Sequence, residues 1–311
     1  MKLIYTLAGF IIFTTLLSSK FSSNRVIDEQ LRLGAKKPSH YIETLDEDKV
    51  KQGEYLVKKG WAYLSNGKKS KVISKHYVCT SCHNIKKEDP NLNKTNSQDR
   101  LNYAKDHNLP FLQGTTLYGT VNREHWYNGD YKLKYGSLVI PALDTLENAV
   151  QLCAEVCSQG RVLDSWELEA IMSYLWTIDL KTEDLPNNEF NTLEELQSLY
   201  ENASPATFVQ EYKSDMIDLK GDLINGELIF ELSCMYCHNG KGQVSKLKLK
   251  KDKFTLNKLK NNLYKGSEFD LLHITRHGTK PHTTHKPYMP HYTSERLSKQ
   301  QLADLITYVS K

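Results

Sequence analysis

The sequence of 311 residues lacks a long hydrophobic run and a strong excess of charge of either sign. Its longest apolar stretch, Leu3 to Leu17, falls short of the ~20 residues that a membrane-spanning helix needs. The net charge of +4 falls to +2 without the first 22 residues, which hold Lys2 and Lys20 and no acidic residue. This near-neutral balance argues against nucleic acid as a partner.

The N-terminal segment has the pattern of an export signal, with one basic residue, an apolar stretch and then small and polar residues. Ser18, Ser19 and Lys20 do not form a cleavage site of the A-x-A type, so residues 1–22 are interpreted as a signal peptide or an uncleaved N-terminal anchor. No cysteine follows the apolar stretch, which argues against lipid attachment there. The segment predicts a periplasmic protein.

Cysteine is scarce, and four of the six cysteines belong to two pentads, CTSCH at Cys79–His83 and CMYCH at Cys234–His238. In a Cys-X-X-Cys-His motif both sulfurs bond to haem vinyl groups and the histidine binds the iron. A tetracysteine zinc site needs no histidine after each pair, and a thioredoxin-type pair needs an α/β pattern that the sequence lacks. We therefore predict electron transfer and two covalently attached haem c groups. The predicted haem-binding residues are Cys79, Cys82, His83, Cys234, Cys237 and His238.

Helical patterns surround both pentads. EDKVKQGEYLVKKGWAYL precedes the first, and a 3-and-4 apolar spacing from Ser165 to Leu180 follows it. GDLINGELIFELS leads into the second, and LSKQQLADLITYVSK ends the chain. This order resembles that of small cytochrome c domains. The sequence predicts an all-α tandem of two cytochrome c-type haem domains, at 23–180 and 216–311, joined by a polar linker at 181–215 with one short helix.

A sixth ligand for the second iron is sought before the last helix. Met289 lies between two prolines there, and a thioether ligand favours Fe(II) and raises the reduction potential. We predict His238 and Met289 as the axial pair of an electron-transfer haem. Rival histidines occupy the same stretch, with His291 the strongest; the others are His273, His277, His282 and His285.

The first half offers no similar methionine, since Met172 lies on the apolar face of a predicted helix. The two remaining cysteines are Cys153 and Cys157, whose i and i+4 spacing places them on one helix face. One thiolate there could bind iron while the other stands beside it. A disulfide, awkward within one helical turn, and two buried apolar side chains are the alternatives.

These motifs resemble those of the dihaem thiosulfate dehydrogenases. The resemblance rests on CTSCH, on a cysteine seven residues before a glycine (Cys153, Gly160) and on LDSWELEAIMSYL at 163–175. It implies His83 and Cys153 as axial ligands of a catalytic haem. With the second thiol beside the first, we predict Cys153 and Cys157 as the catalytic cysteines. It also implies a thiosulfate- or tetrathionate-type substrate at the first haem and electron exit through the second.

The sequence departs from that family at three places. Cys157 stands where the family has a serine, and Gly136–Cys153 lacks the arginines that line the family's substrate pocket. Positive charge for a dianion would have to come from Arg123, Lys132, Lys134 and Arg161. The insertion from about Asn84 to Tyr135 is long, and we expect a different pocket or a lid from it.

Two further functions remain open at this point. One is a dihaem electron carrier to a terminal oxidase or reductase, without a substrate of its own. The other is a peroxidase-type enzyme, with Glu124 and His125 as acid/base candidates, or a redox sensor using Cys153 and Cys157. In each case a redox partner is needed. Lys246–Lys265, with eight lysines and one acidic residue, is either its docking segment or a solvated basic face.

Overall fold

The protein is described from a computed structural model that covers residues 24–187, 189–200, 206–209, 211, 213–216, 218–238, 261, 263, 270–279 and 285–311. Residues 1–22, His282 and all eight lysines of Lys246–Lys265 lie outside this range. Within it the regular elements are helical, and two isolated bridges, Arg25–Lys181 and Tyr63–Lys69, are the β pairing present. The predicted all-α class is confirmed.

The described α-helices are short and are numbered in chain order. They are α1 Val26–Arg32, α2 Glu47–Lys59, α3 Ser97–Asp106, α4 Tyr131–Tyr135, α5 Leu146–Leu152, α6 Ser165–Leu175, α7 Leu193–Ser198, α8 Leu223–Ile229, α9 Met235–His238, α10 Leu271–His277 and α11 Lys299–Ser310. Among the described residues, no helix is long and apolar enough to cross a membrane.

Two π-helical turns extend α-helices at cysteines. Cys153–Cys157 continues α5, and Phe230–Cys234 continues α8 into the second pentad. A π turn widens the helix by one residue per turn, and such turns are frequent at functional sites. Both turns therefore mark positions where a cysteine is presented from an enlarged helical turn.

Each pentad is accompanied by one close helix crossing. Gly53 on α2 lies against α6, where an added Cβ would stand 1.9 Å from the Ala170 carbonyl oxygen. Gly226 on α8 lies in the same way against α11, where an added Cβ would stand 2.0 Å from the Asp304 carbonyl oxygen. Only glycine permits these two backbones to approach so closely. The crossing thus occurs once in each half of the chain.

The closing helices also begin alike. Asp164 and Glu167 form a capping box at the start of α6, and Ser298 and Gln301 form one at the start of α11. Such boxes satisfy backbone N–H groups that a helix leaves unpaired at its first turn.

The long insertion in the first half supplies helix α3, which packs against the second half. Leu101 and Phe111 belong to the apolar core formed with α8, α10 and α11. The Phe111 amide donates to the Leu232 carbonyl over 3.0 Å, and the Gln301 side chain donates to the Ser97 carbonyl over 3.0 Å. The two halves therefore share a core element that sequence order assigns to the first.

The segment predicted as a linker also packs. Helix α7 contributes Leu196, and Tyr200 follows it, to a small core with Val26 of α1 and Leu180. The Gln30 amide donates to the Tyr200 hydroxyl over 2.7 Å. This part of the chain is thereby held against the first half.

Candidate functional site

A cavity of about 490 Å³ lies between α2, the π turn at Cys153–Cys157 and the segment at 288–296. This volume is within the range of sites for small molecules and cofactors. The predicted residues of the first half line it together: Cys79, Cys82, His83, Cys153 and Cys157. Folding thus brings two cysteines from a helix 70 residues downstream to the same space as the first pentad.

The His83 imidazole is held in one orientation by its surroundings. Its Nδ1 donates to the Thr115 carbonyl over 2.6 Å, which leaves Nε2 as the nitrogen able to bind a metal. Burial lowers the pKa of His83 below its ordinary range. Gly114 permits this packing, because a Cβ there would lie 2.6 Å from the imidazole Cε1. The ring is therefore fixed in one orientation before any iron is bound.

Cys153 and Cys157 are not joined in a disulfide, and their two thiols differ in their surroundings. Cys157 Sγ lies 3.5 Å from the Tyr127 hydroxyl and 3.7 Å from the Tyr135 hydroxyl. A hydrogen bond from Cys153, opposed by burial and assisted by these hydroxyls and Lys134, lowers the pKa of Cys157 to about 7. The same hydrogen bond and burial raise the pKa of Cys153 well above its usual range. Of the two, Cys157 is the sulfur whose anion is stabilised.

Positive charge lines the cavity from residues that sequence reasoning did not single out. Arg100 is buried, with its guanidinium 3.8 Å from the centre of the Phe111 ring. Arg296 pairs with Glu88 over 2.8 Å. Burial alone would raise the pKa of Glu88, but Arg296 and Arg100 outweigh it and hold the value at about 2. This buried pair joins the two halves at the cavity wall.

The four basic residues considered from sequence divide into two groups. Arg123 lines the cavity, and Lys134 is close enough for its charge to act on Cys157. Lys132 is exposed, and Arg161 forms a double hydrogen bond with Glu167 at 2.7 and 2.6 Å. Of these four, Lys134 acts on the cysteine pair, and Arg123 lines the cavity and acts on His83.

The other candidates of the first half are placed differently. Met172 is buried in α6 and lines a different cavity. Glu124 and His125 line the first cavity but are exposed, with Glu124 accepting from Gln197 over 2.8 Å and His125 bonded to Asp144 over 3.0 Å.

The cavity has the properties that haem requires. Haem is a largely apolar plane with two carboxylates, and the wall includes apolar side chains from α2 and α6. Four buried N–H groups of the wall have no acceptor among the described residues: Arg100 Nε, Gln113 Nε2, Trp126 Nε1 and Arg296 Nε. Buried donors of this kind need an acceptor. Carboxylates of a haem attached at Cys79 and Cys82 would fit them.

The second pentad follows directly from α8. Cys234 ends the π turn, and His238 ends α9. Burial lowers the pKa of His238 to about 4, so its imidazole is neutral and able to bind a metal near neutral pH. Met289 is half-buried, and its backbone is bound by Thr279, with 2.7 Å from the Met289 amide to Oγ1 and 3.0 Å from the Thr279 amide to the Met289 carbonyl. Its pairing with His238 on one iron stays a prediction.

The described rival histidines contact other groups. His291 lines the first cavity, and its Nδ1 accepts a hydrogen bond from Lys134 Nζ over 2.5 Å. The rings of His273 and His277, one turn apart on α10, lie with their centres 4.7 Å apart and their planes tilted by 34°. The carbonyl of His285 accepts from the His76 ring over 2.8 Å.

The two pentads are neighbours in space. The Tyr236 hydroxyl of the second donates to the Thr80 carbonyl of the first over 3.4 Å. Burial and then the nearby Cys237 raise the pKa of the Cys82 thiol. Sequence spacing gave no sign of this proximity. Groups attached at these cysteines would lie next to one another.

Residues 221–309 match the family model described as cytochrome c oxidase, cbb3-type, subunit III. No curated protein and no solved structure matches the chain. The match includes the second pentad, α8 to α11 and Met289. It confirms a cytochrome c-type domain in the second half, and such a domain binds haem c covalently and transfers electrons.

Proposed function

We propose that the chain is a periplasmic dihaem cytochrome c that oxidises or reduces a small sulfur anion at the first haem and passes electrons through the second. In this proposal His83 binds the first iron, with a thiolate from Cys153 or Cys157 opposite. His238 and Met289 bind the second iron. The observation that carries the proposal is that His83 and the two cysteines line one cavity.

The proposed substrate is a thiosulfate- or tetrathionate-type anion. Joining two thiosulfate ions through a new S–S bond gives one tetrathionate and releases two electrons, which require an acceptor. Two haems, at the first and second pentads, would each take one of these electrons, and a thiolate ligand would tune the potential of the first. A buried dianion needs fixed positive charge and hydrogen-bond donors. Arg123, Lys134 and the Tyr127 and Tyr135 hydroxyls are the groups that support this assignment.

The two cysteines have distinct proposed roles. Resemblance to the thiosulfate dehydrogenases assigns the iron ligand to Cys153. The tyrosine hydroxyls and Lys134, however, surround Cys157 and favour its anion. Whichever thiol binds iron, its neighbour is within hydrogen-bond reach of it.

Spectroscopy of the purified protein tests this ligation. Low-temperature EPR and near-infrared magnetic circular dichroism distinguish histidine/thiolate from histidine/methionine coordination. We expect a thiolate signal that is lost in either Cys153→Ala or Cys157→Ala and kept in the other, which identifies the ligand. If the wild-type protein shows only histidine/methionine and histidine/histidine signals, the first iron has no thiolate ligand, and the proposed reaction with a sulfur anion is contradicted.

Turnover is measured separately. Ferricyanide reduction coupled to thiosulfate should proceed in the wild type and fall by at least tenfold when the ligating cysteine is replaced. Haem content by mass spectrometry should be two per chain, and one in a Cys79→Ala/Cys82→Ala variant. A single haem in the wild type would contradict the proposed tandem.

A second candidate function is an electron carrier to a terminal oxidase, without a substrate of its own. The observation in its favour is the match of residues 221–309 to an oxidase subunit model. A carrier would carry two haems, exchange electrons with an oxidase and show no thiosulfate-dependent turnover even with a thiolate ligand. The ferricyanide assay therefore separates the two functions.

A further inference from the structure

The loop that carries Met289 is bound on both sides by side chains from the first half of the chain. The Tyr77 hydroxyl donates to the Tyr288 carbonyl and accepts from the Tyr288 amide, the latter over 3.1 Å. A His76 ring nitrogen donates to the His285 carbonyl over 2.8 Å. After Met289, Lys134 Nζ donates to His291 Nδ1 over 2.5 Å.

Tyr77 is the strongest of these attachments. Both residues are buried, with 5% of the surface of Tyr77 and 9% of that of Tyr288 exposed. The two rings meet edge to face with centres 6.1 Å apart. One hydroxyl thus satisfies both backbone groups of the residue immediately before Met289. From the second half, Thr279 holds the backbone of Met289 itself.

Tyr77 also lies between the two pentads. It precedes Cys79 by two residues, and burial together with the nearby Cys82 and Cys237 raises the pKa of its phenol. Tyr77 therefore connects the segment just before the first pentad to the loop that carries Met289 in the second half.

We propose that Tyr77 is a positioning residue for the sixth ligand of the second iron, holding Tyr288 so that Met289 stays bound. This inference rests on the proposed function, in which Met289 is that ligand. Without the hydroxyl, two backbone hydrogen bonds of the loop are lost and a buried amide and carbonyl are left without their partner. Methionine then leaves the iron more readily.

Imidazole competition measures that tendency. Added imidazole displaces methionine from ferric haem, and the long-wavelength methionine-to-iron charge-transfer band reports the loss at the second iron alone. We expect Tyr77→Phe to bind imidazole about tenfold more tightly than wild type, about 1.4 kcal/mol. Tyr63→Phe is the matched control, because Tyr63 is a partly exposed tyrosine of the same half, and its affinity should be unchanged.

The experiment uses the full, haem-loaded chain. Unchanged imidazole affinity in Tyr77→Phe would overturn the positioning role. A wild type without the methionine band, or a band that persists in Met289→Ala, would overturn it as well, because Met289 would then not be the ligand. The thiolate EPR signal and thiosulfate turnover, read on the same samples, show whether the chemistry proposed at the first haem stands or fails independently.

A second variant guards against misfolding. If Tyr77→Phe does not retain both haems, His76→Ala removes the separate attachment at His285. It should tighten imidazole binding about threefold, because one exposed hydrogen bond contributes less than two buried ones. An unchanged affinity in that variant would count against attachment of the loop by the first half.

Discussion

The two halves of the chain use the same helix crossing but differ in how the chain continues from it to the pentad. In the second half, α8 runs through a π turn straight to Cys234, whereas in the first half α2 ends at Lys59 and the pentad begins at Cys79. The longer first half also supplies α4, α5 and the cysteine pair to the cavity wall. The comparison shows a compact unit around the second pentad beside a larger one around the first.

The halves also exchange segments. Helix α3 of the first half packs in the second core, and the segment at 288–296 of the second half lines the first cavity. A shared helix crossing therefore does not mean that the two halves pack independently. Each half completes a part of the other, and the second pentad lies beside the first through Tyr236 and Thr80.

The largest effect is expected from the glycines of the two crossings. Gly53→Ala and Gly226→Ala each introduce a Cβ at 2.0 Å or less from a backbone oxygen, which no side-chain rotation relieves. Each should destabilise its half by more than about 4 kcal/mol and lower the haem content at that half's pentad. Guanidinium unfolding and haem mass spectrometry check both variants.

The control for these variants is Lys51→Ala on the exposed face of α2. It should change the unfolding free energy by less than about 0.5 kcal/mol. If Gly53→Ala were as stable as this control while Gly226→Ala unfolded, the two crossings would not be equivalent.

Glu88→Gln tests the buried ion pair that joins the halves. Glu88 is 3% exposed and bonds Arg296, the Thr116 amide and Asn84. Without the Glu88 carboxylate, the positive charges of Arg296 and Arg100 are no longer balanced by it. We therefore expect the free energy of unfolding to fall by about 3 kcal/mol at pH 7. Denaturant unfolding of the two proteins gives the difference directly.

The pH dependence of that difference follows from the lowered pKa. The carboxyl has a folded pKa of about 2 against an ordinary 4.5, so its contribution is complete above pH 4.5 and is lost as the pH falls through about 2. Wild type and Glu88→Gln should therefore converge in acid. Glu54→Gln, in an exposed pair with Lys58, is the control and should change the unfolding free energy by less than about 1 kcal/mol. A difference that grew below pH 4.5 would contradict the assigned sign.

Exchanging the capping residues of α6 and α11 should have a smaller effect. Glu167 accepts two hydrogen bonds from Arg161, whereas Gln301 donates to the Ser97 carbonyl and to Gln98 Oε1. Gln301→Glu would place a carboxylate against these two oxygens, and we expect it to lower the free energy of unfolding by about 2 kcal/mol. Glu167→Gln keeps an acceptor for Arg161 and should cost about 1 kcal/mol.

Thermal and denaturant unfolding measure both exchanges. Lys299→Gln, an exposed neighbour at the start of α11, is the control and should be neutral within about 0.5 kcal/mol. Equal costs for the two exchanges would mean that the contact of α11 with Ser97 contributes little to joining the halves.

Local patterns were sufficient to predict the helices beside each pentad, because apolar spacing and capping residues are properties of short segments. The closing helices at 165–175 and 299–310 correspond to such patterns. The packing of α3 on the second core depends on contacts with residues over a hundred positions away, and its own sequence carries no sign of that partner.

The same distinction holds at the site. The pentads and the Cys153/Cys157 pair were evident from spacing. Arg100 and Arg296 were not, because an arginine is recognised as part of a cavity only when distant segments meet there. Arg161 was considered for an anion site, but Glu167, six residues later in the chain, pairs with it instead. Its position six residues before a capping glutamate was a usable signal.

The smallest expected effect concerns electron exit from the second half. Lys246–Lys265 has eight lysines, so an acidic redox partner should be attracted to it, and ionic strength should weaken that attraction. We expect the electron-transfer rate constant to fall about threefold between ~0.05 and ~0.5 M salt. Replacing Lys248, Lys250 and Lys253 with glutamine should flatten this response. The same replacement of Lys51, Lys68 and Lys132, exposed lysines of the first half, should leave it unchanged. A flat response in wild type would remove docking at this segment, and a response abolished by the first-half variant instead would place electron exit beside the first haem.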